Sequence, residues 1–155
     1  MEACLIEFTD VPSDHTFYSN VRCLACRGII GGYSDGTFRP GNDITRGQIA
    51  KMVSGAAGFS EPVAGQSFED VPPNQTFYQW IERLATRGDM GGYACGGPQE
   101  PCIAPGNRPY FRPNANATRG QLAKIVAGAA DITTTPTGQF YTDVPSTNTF
   151  YVWIM

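Results

Sequence analysis

The sequence predicts a mainly α-helical protein made of tandem helix–loop–helix repeats. Two observations carry that expectation. The first is that the chain repeats itself. The segment from Phe8 to Tyr18, with Asp10-Val11-Pro12 inside it, returns from Phe68 to Tyr78 and again from Tyr141 to Tyr151. Phe38-Arg39-Pro40 followed by Thr45-Arg46-Gly47-Gln48 returns as Phe111-Arg112-Pro113 followed by Thr118-Arg119-Gly120-Gln121. Residues 8–34 and 68–94 are identical at 14 of 27 aligned positions, and residues 38–58 and 111–131 at 13 of 21. Periods of this size mark stacked modules, none of which buries its apolar face alone. The second observation is apolar spacing of helical period inside each copy.

Taken in chain order, Phe17, Val21, Leu24 and Ala25 share one helical face, as do Phe77, Ile81, Leu84 and Ala85. Gly28 and Gly88 close these first helices. A turn-rich connector follows, running from Gly31 through Asp35-Gly36-Thr37 to Pro40. The Asp-Gly reads as a turn, not as a cation site. The second helix of each repeat presents Ile49, Met52, Val53, Ala56 and Ala57, matched by Leu122, Ile125, Val126, Ala129 and Ala130. Before each stands Thr-x-x-Gln, the pattern of a capping box, which assigns Thr45 with Gln48 and Thr118 with Gln121 to helix capping.

The resulting division is repeat one over residues 1–59, a linker over 60–67, repeat two over 68–131, a Thr/Pro linker over 132–139, and the start of a third repeat over 140–155. Repeat two carries 13 extra residues, because Tyr33 to Phe38 is five steps and Tyr93 to Phe111 is 18. The insertion, residues 94–110, is rich in Gly and Pro and so reads as a loop. Cys95 and Cys102 flank its tip and are expected to staple it by a disulfide. The Thr/Pro linker is extended in composition and a candidate O-glycosylation segment.

Composition narrows the function. The chain has 155 residues, 41% of them hydrophobic and 16% charged, with 18 glycines and 12 prolines. Its net charge of -3 argues against nucleic acid as a partner, which calls for a basic stripe. No run of 18 apolar residues is present to span a membrane. No amino-terminal segment has the basic-then-apolar pattern of a signal peptide, so such a segment has been removed or Met1 begins a fragment. Five cysteines in a loop-rich chain point to an extracellular, oxidising setting. Cys4 is expected to pair with Cys23 or Cys26, leaving the other free or bonded outside the chain.

The Phe-x-Asp-Val-Pro element, an amphipathic helix, Gly-Tyr-x-Asp-Gly-Thr-Phe-Arg-Pro and then Ile-Thr-Arg-Gly-Gln together resemble the S-layer homology family. The resemblance runs from Phe8 to Ile154. It implies a pseudo-threefold prism of three repeats around their first helices. It also implies a cell-surface location, and grooves between repeats that hold secondary cell-wall polysaccharide, often carrying a pyruvylated aminosugar, as the partner. The family's Thr-Arg-Ala-Glu signature maps to Thr45-Arg46-Gly47-Gln48 and Thr118-Arg119-Gly120-Gln121. The resemblance therefore makes Arg46 and Arg119 contacts for an acidic sugar substituent, a role that suits a guanidinium fork. Asp10, Asp70 and Asp143 of Asp-Val-Pro would line the same grooves. Glu is replaced by Gln in both copies, which alters the charge a glycan would meet. The alternative role for the arginines is structural pairing with an Asp-Val-Pro aspartate of a neighbouring repeat. Aromatic faces stack on pyranose rings, and Trp80 or a tyrosine is the candidate for that contact.

Other chemistry is poorly supported. Cys23-Leu-Ala-Cys26 lacks the strand and βαβ surround of a redox motif. No nucleophile–base pair, metal cluster or paired carboxylates appear, so no enzymatic activity, metal or cofactor is expected. Asn74 and Asn116 begin sequons and are candidate N-glycosylation sites. His15, the single histidine, reads as a surface residue. The expected function is a non-catalytic module that anchors a protein to the bacterial envelope. The alternative is a self-assembling subunit of a surface layer, sheath or filament, whose partners are copies of itself.

Overall fold

The computed structural model describes residues 4–133 and 135–155. Residues 1–3, at the start of repeat one, and Thr134, in the Thr/Pro linker, lie outside the described residues. The architecture is mainly helical. Helices α1 (Tyr18–Cys26), α2 (Arg46–Ala56), α3 (Tyr78–Arg87), α4 (Arg119–Ala129) and the single turn α5 (Tyr151–Ile154) follow in order. Among the described residues the only β pairings are isolated bridges, such as Tyr93 with Tyr110 and Thr45 with Asn116.

The compact units do not follow the sequence repeats. One unit runs to Asp43 and the other is Ile44–Met155. The second helix of repeat one therefore folds with repeat two. Its Ile49 and Ala50 join Phe68, Val71, Ile81, Leu84, Met90, Phe111 and Ile125 in one core. Each large apolar side chain fully buried there stabilises by about 1.5–3 kcal/mol. In the first unit, α1 turns Val21 and Ala25 inward, with Val11 of the lead-in also buried. About forty residues make a small core, and units of that size commonly need a covalent staple. Here Cys4 is bonded to Cys26.

Helix starts are built locally. Thr45 accepts from the Gln48 amide while Gln48 Oε1 accepts from the Thr45 amide, and Thr118 and Gln121 do the same. The first helices use another device. His15 Nδ1, Gln75 Oε1 and Asn148 Oδ1 each accept from the amide of the phenylalanine two residues on, Phe17, Phe77 and Phe150. His15 thus bonds the main chain at the entry to α1. Three unlike residue types share one acceptor geometry, which residue identity alone conceals. At the far end of α3, Gly88 adopts φ 83° and closes the helix in the left-handed region.

The helical faces differ in part from their apolar spacing. On α2, Ala50 and Ser54 are buried whereas Ala56 and Ala57 are exposed. This helix is packed against both α3 and α4, which turns a second side of it inward. On α4, Ile125 is buried but Leu122 and Val126 are 36% and 45% exposed. Both α2 and α5 pack on α4.

Candidate functional site

The two copies of Thr-Arg-Gly-Gln have different surroundings. Arg46, the first residue of α2, is only 6% exposed. Its Nε donates to the Phe111 carbonyl at 2.8 Å and its Nη2 to the Gly91 carbonyl at 2.6 Å. The guanidinium lies 4.5 Å from the Phe111 ring centroid and 5.2 Å from that of Tyr93. Burial holds its pKa below the ordinary arginine value; Tyr93 and Asp70 oppose that shift, and nearby Arg112 adds to it. The amides of Arg46 and Gly47 are also taken, by the carbonyls of Ala115 and Pro113 at 2.9 Å each. An α-helix amino terminus attracts anions through its unpaired N–H groups. At α2 two of these groups are already bonded to the protein.

The glycine of the motif has a packing cause. A Cβ built on Gly47 would lie 2.4 Å from Cδ2 of Phe77, and one on Gly120 would lie 2.6 Å from Cδ2 of Phe150. The second residue of each second helix is a glycine because the phenylalanine of the next repeat packs closely against it. Beside that contact, Lys51 Nζ stands 5.3 Å over Trp80, and Lys124 Nζ stands 4.8 Å over Trp153.

The Asp-Val-Pro aspartates of the first two repeats clasp the main chain. Asp10 accepts from the amides of Phe38 and Arg39 at 2.8 and 2.7 Å. Asp70 accepts from those of Phe111 and Arg112, both at 2.7 Å. Arg39 and Arg112 stand at φ 61° and 59°, a left-handed conformation that is costly for a side chain with a Cβ. Two charge-assisted bonds per carboxylate stabilise it. Phe38 donation is the main cause holding the Asp10 carboxyl below its ordinary value.

Each left-handed arginine then stacks on a tyrosine and meets an acid. Arg39 lies 4.0 Å over Tyr33 and pairs with Asp35 at 2.9 Å; Arg112 lies 4.0 Å over Tyr93 and pairs with Glu100 at 2.7 Å. Asp35 sits in the connector turn, and its carboxyl is held at about 2 by the Thr37 hydroxyl and Arg39. Glu100 comes instead from the insertion, between Cys95 and Cys102, which are bonded to each other. The inserted loop thus restores the acid at a new place in the sequence. Among the described residues no group of three His, Cys, Asp or Glu side chains is placed to hold a metal ion.

Arg119 is exposed, and this sequence stops before the third-repeat positions that match Gly91 and Phe111. It lines a groove of about 640 Å³ with Thr118, Gly120, Tyr141, Asp143 and Trp153. Asp143 is exposed as well. The structure therefore brings Arg119 and Asp143 together, and places Arg46 and Asp70 in buried or clasping roles. Each tryptophan has a lysine over its ring; Trp80 is half-buried, whereas Trp153 is 37% exposed and lines the groove. The sequence signal for Trp153 is its register, since it occupies in the third repeat the place of Trp80. Asn74 is exposed before α3, and Asn116 is exposed in its bridge with Thr45. Cys23 is an exposed thiol.

The sequence is similar to those of known proteins. Residues 7–50 match the family model of the S-layer homology domain. The outer membrane protein SlpA of Thermus thermophilus is 45% identical over 49 residues, covering 32% of this chain and 5% of its own length. The S-layer protein sap of Bacillus anthracis is 26% identical over 132 residues, covering 84% of this chain and 14% of its own length. Cell surface glycoprotein 1 of Acetivibrio thermocellus is 30% identical over 104 residues, covering 64% of this chain and 4% of its own length. The chain thus spans a small fraction of the curated relatives it matches. Residues 7–50 thus match the S-layer homology domain, and the motifs of that segment return between Phe68 and Asp131.

Proposed function

We propose that this chain is a non-catalytic cell-surface module that attaches its polypeptide to the bacterial envelope, by binding cell-wall polysaccharide in the groove between α4 and α5. One observation carries the choice of groove: Arg119, Asp143 and Trp153 line it together. An exposed guanidinium grips a carboxylate in bidentate fashion. Asp143 supplies an acceptor for sugar hydroxyls, and Trp153 an aromatic face for a pyranose ring. The pseudo-threefold arrangement of repeats belongs to the same reading. Asn74 and Asn116 are sites to test for attached sugar, and both are accessible at the surface.

The test is co-sedimentation of the purified chain with cell walls, intact or stripped of secondary polysaccharide, beside a wall-free control. Pelleting only with intact walls, lost in Arg119→Ala, supports the reading. Equal pelleting with stripped walls counts against it. A second reading, a self-assembling surface-layer subunit, is favoured by the exposed apolar side chains Phe140, Tyr141 and Val152, which a neighbouring molecule would cover. Pelleting in the wall-free control would select that reading.

A further inference from the structure

Three cysteines lie together in the first unit, and envelope attachment uses none of them. Cys4 is bonded to Cys26, with Cα atoms 5.7 Å apart, and Cys23 is an exposed thiol. Cys23 and Cys26 are one turn apart on α1, a spacing that sets Cβ atoms about 5–6 Å apart on neighbouring positions of one face. The segment bearing Cys4 is lightly held. Among the described residues, the one hydrogen bond made by residues 4–7 runs from Arg22 Nη2 to the Cys4 carbonyl at 2.8 Å, and Leu5 beyond it is 84% exposed.

The second repeat offers a comparison for position 23. Its counterpart Arg83 donates Nε to the Glu61 carbonyl at 3.0 Å. Glu61 lies on the segment leading into Phe68, as Cys4 lies on the segment leading into Phe8. In repeat two the residue matching Cys23 thus reaches the segment leading into the helix, and in the first unit Cys26 is bonded to that segment.

We propose that Cys4, Cys23 and Cys26 form an intramolecular thiol–disulfide exchange set. The Cys23 thiolate attacks Sγ of Cys4. A Cys4–Cys23 bond forms, the Cys4–Cys26 bond breaks, and Cys26 departs as a thiolate that takes a proton from solvent in place of the one Cys23 gave up. One disulfide and one thiol exist before and after, so the step needs neither oxidant nor reductant. The lead-in shifts along α1 and the accessible thiol moves one helical turn. Arg83 and Thr86 occupy the matching positions of repeat two, which confines the device to the first unit. The inference stands apart from envelope attachment.

The test traps thiols in the full chain with iodoacetamide after incubation at pH 5 and at pH 8.5. Acid quench, digestion without reduction and fragment-ion mass spectrometry between Cys23 and Cys26 locate the label. Exchange predicts label on Cys23 alone at pH 5 and on both Cys23 and Cys26 at pH 8.5. The approach to the mixture should speed up about tenfold per pH unit while the thiol form predominates, because the thiolate is the nucleophile. Cys26→Ser should carry a Cys4–Cys23 bond, and Cys23→Ser a single isomer. Label confined to Cys23 at every pH would overturn the proposal, as would a rate that rises with protein concentration, which places the attacking sulfur on another molecule. The wild-type labelling decides the matter even if Cys26→Ser does not fold.

Discussion

Arg46 and Phe111 are 65 residues apart, yet the Nε of one donates to the carbonyl of the other at 2.8 Å inside the core of the second unit. This bond ties the start of α2 to the end of the repeat-two connector. Bonds from a charged donor to buried acceptors are each worth about 1.5–3 kcal/mol, and their loss leaves carbonyls unpaired. Arg46→Ala should therefore lower unfolding stability by about 2–4 kcal/mol in urea denaturation, and Arg46→Lys should recover only part, since an ammonium lacks the fork. Arg119→Ala should change stability by less than about 0.5 kcal/mol, as an exposed substitution does. Equal losses from both would contradict the division of roles between the two arginines.

Gly47→Ala is the next expectation. Alanine is the better helix former by about 1 kcal/mol, but its methyl would collide with the Phe77 ring. Overpacking of a tight contact costs about 1–3 kcal/mol, so the net effect should be destabilising. The combination with Phe77→Leu should cost less than the sum of the two single changes. Additive losses in a double-mutant cycle would show that the ring is not the obstacle.

The connector clasps predict an acid dependence. Asp10, Asp35 and Glu100 all have folded carboxyl values below their ordinary ones, with Asp35 at about 2. A group depressed in the folded state stabilises it above the ordinary value and loses that contribution as pH falls through the folded one. Thermal stability should thus hold at pH 6 and decline between about pH 4 and pH 2. Asp35→Asn should flatten the part of this decline that belongs to the first unit. An unchanged profile would separate Asp35 from acid sensitivity.

His15 should be replaceable by its own counterparts. His15→Asn and His15→Gln keep an acceptor for the Phe17 amide and should leave α1 intact. His15→Ala removes it and should cost about 1 kcal/mol, the usual net worth of one hydrogen bond. Circular dichroism melts of the three variants measure this. Equal behaviour of the Ala and Asn variants would mean that the bond contributes nothing.

The helices were legible because their signals are local. Period, glycine stop and Thr-x-x-Gln start all fall within a dozen residues of one another. The bonds of Arg46 were not legible, because the carbonyls it reaches lie 45 and 65 residues further along the chain. Nor was Glu100. The insertion moved the acid 12 residues upstream of Arg112, whereas Asp35 stands four before Arg39, so no alignment pairs the two acids. Exposure of Leu122 and Val126 escaped notice for a related reason: periodicity reports which face is apolar, not what covers it.

The unit that duplicates in this chain is not the unit that folds. Sequence identity restarts near Phe8 and Phe68, while compactness restarts at Ile44. Genetic exchange between such genes would meet this mismatch at every crossover. A recombinant joined in the 60–67 segment would give α2 a foreign α3, and Gly47, Arg46 and Ile49 would face a surface they were never selected against. A joint near residue 43 would carry α2 along with the ring and carbonyls it contacts. Shuffled chains should survive in proportion to how near their crossovers lie to the second boundary, not the first.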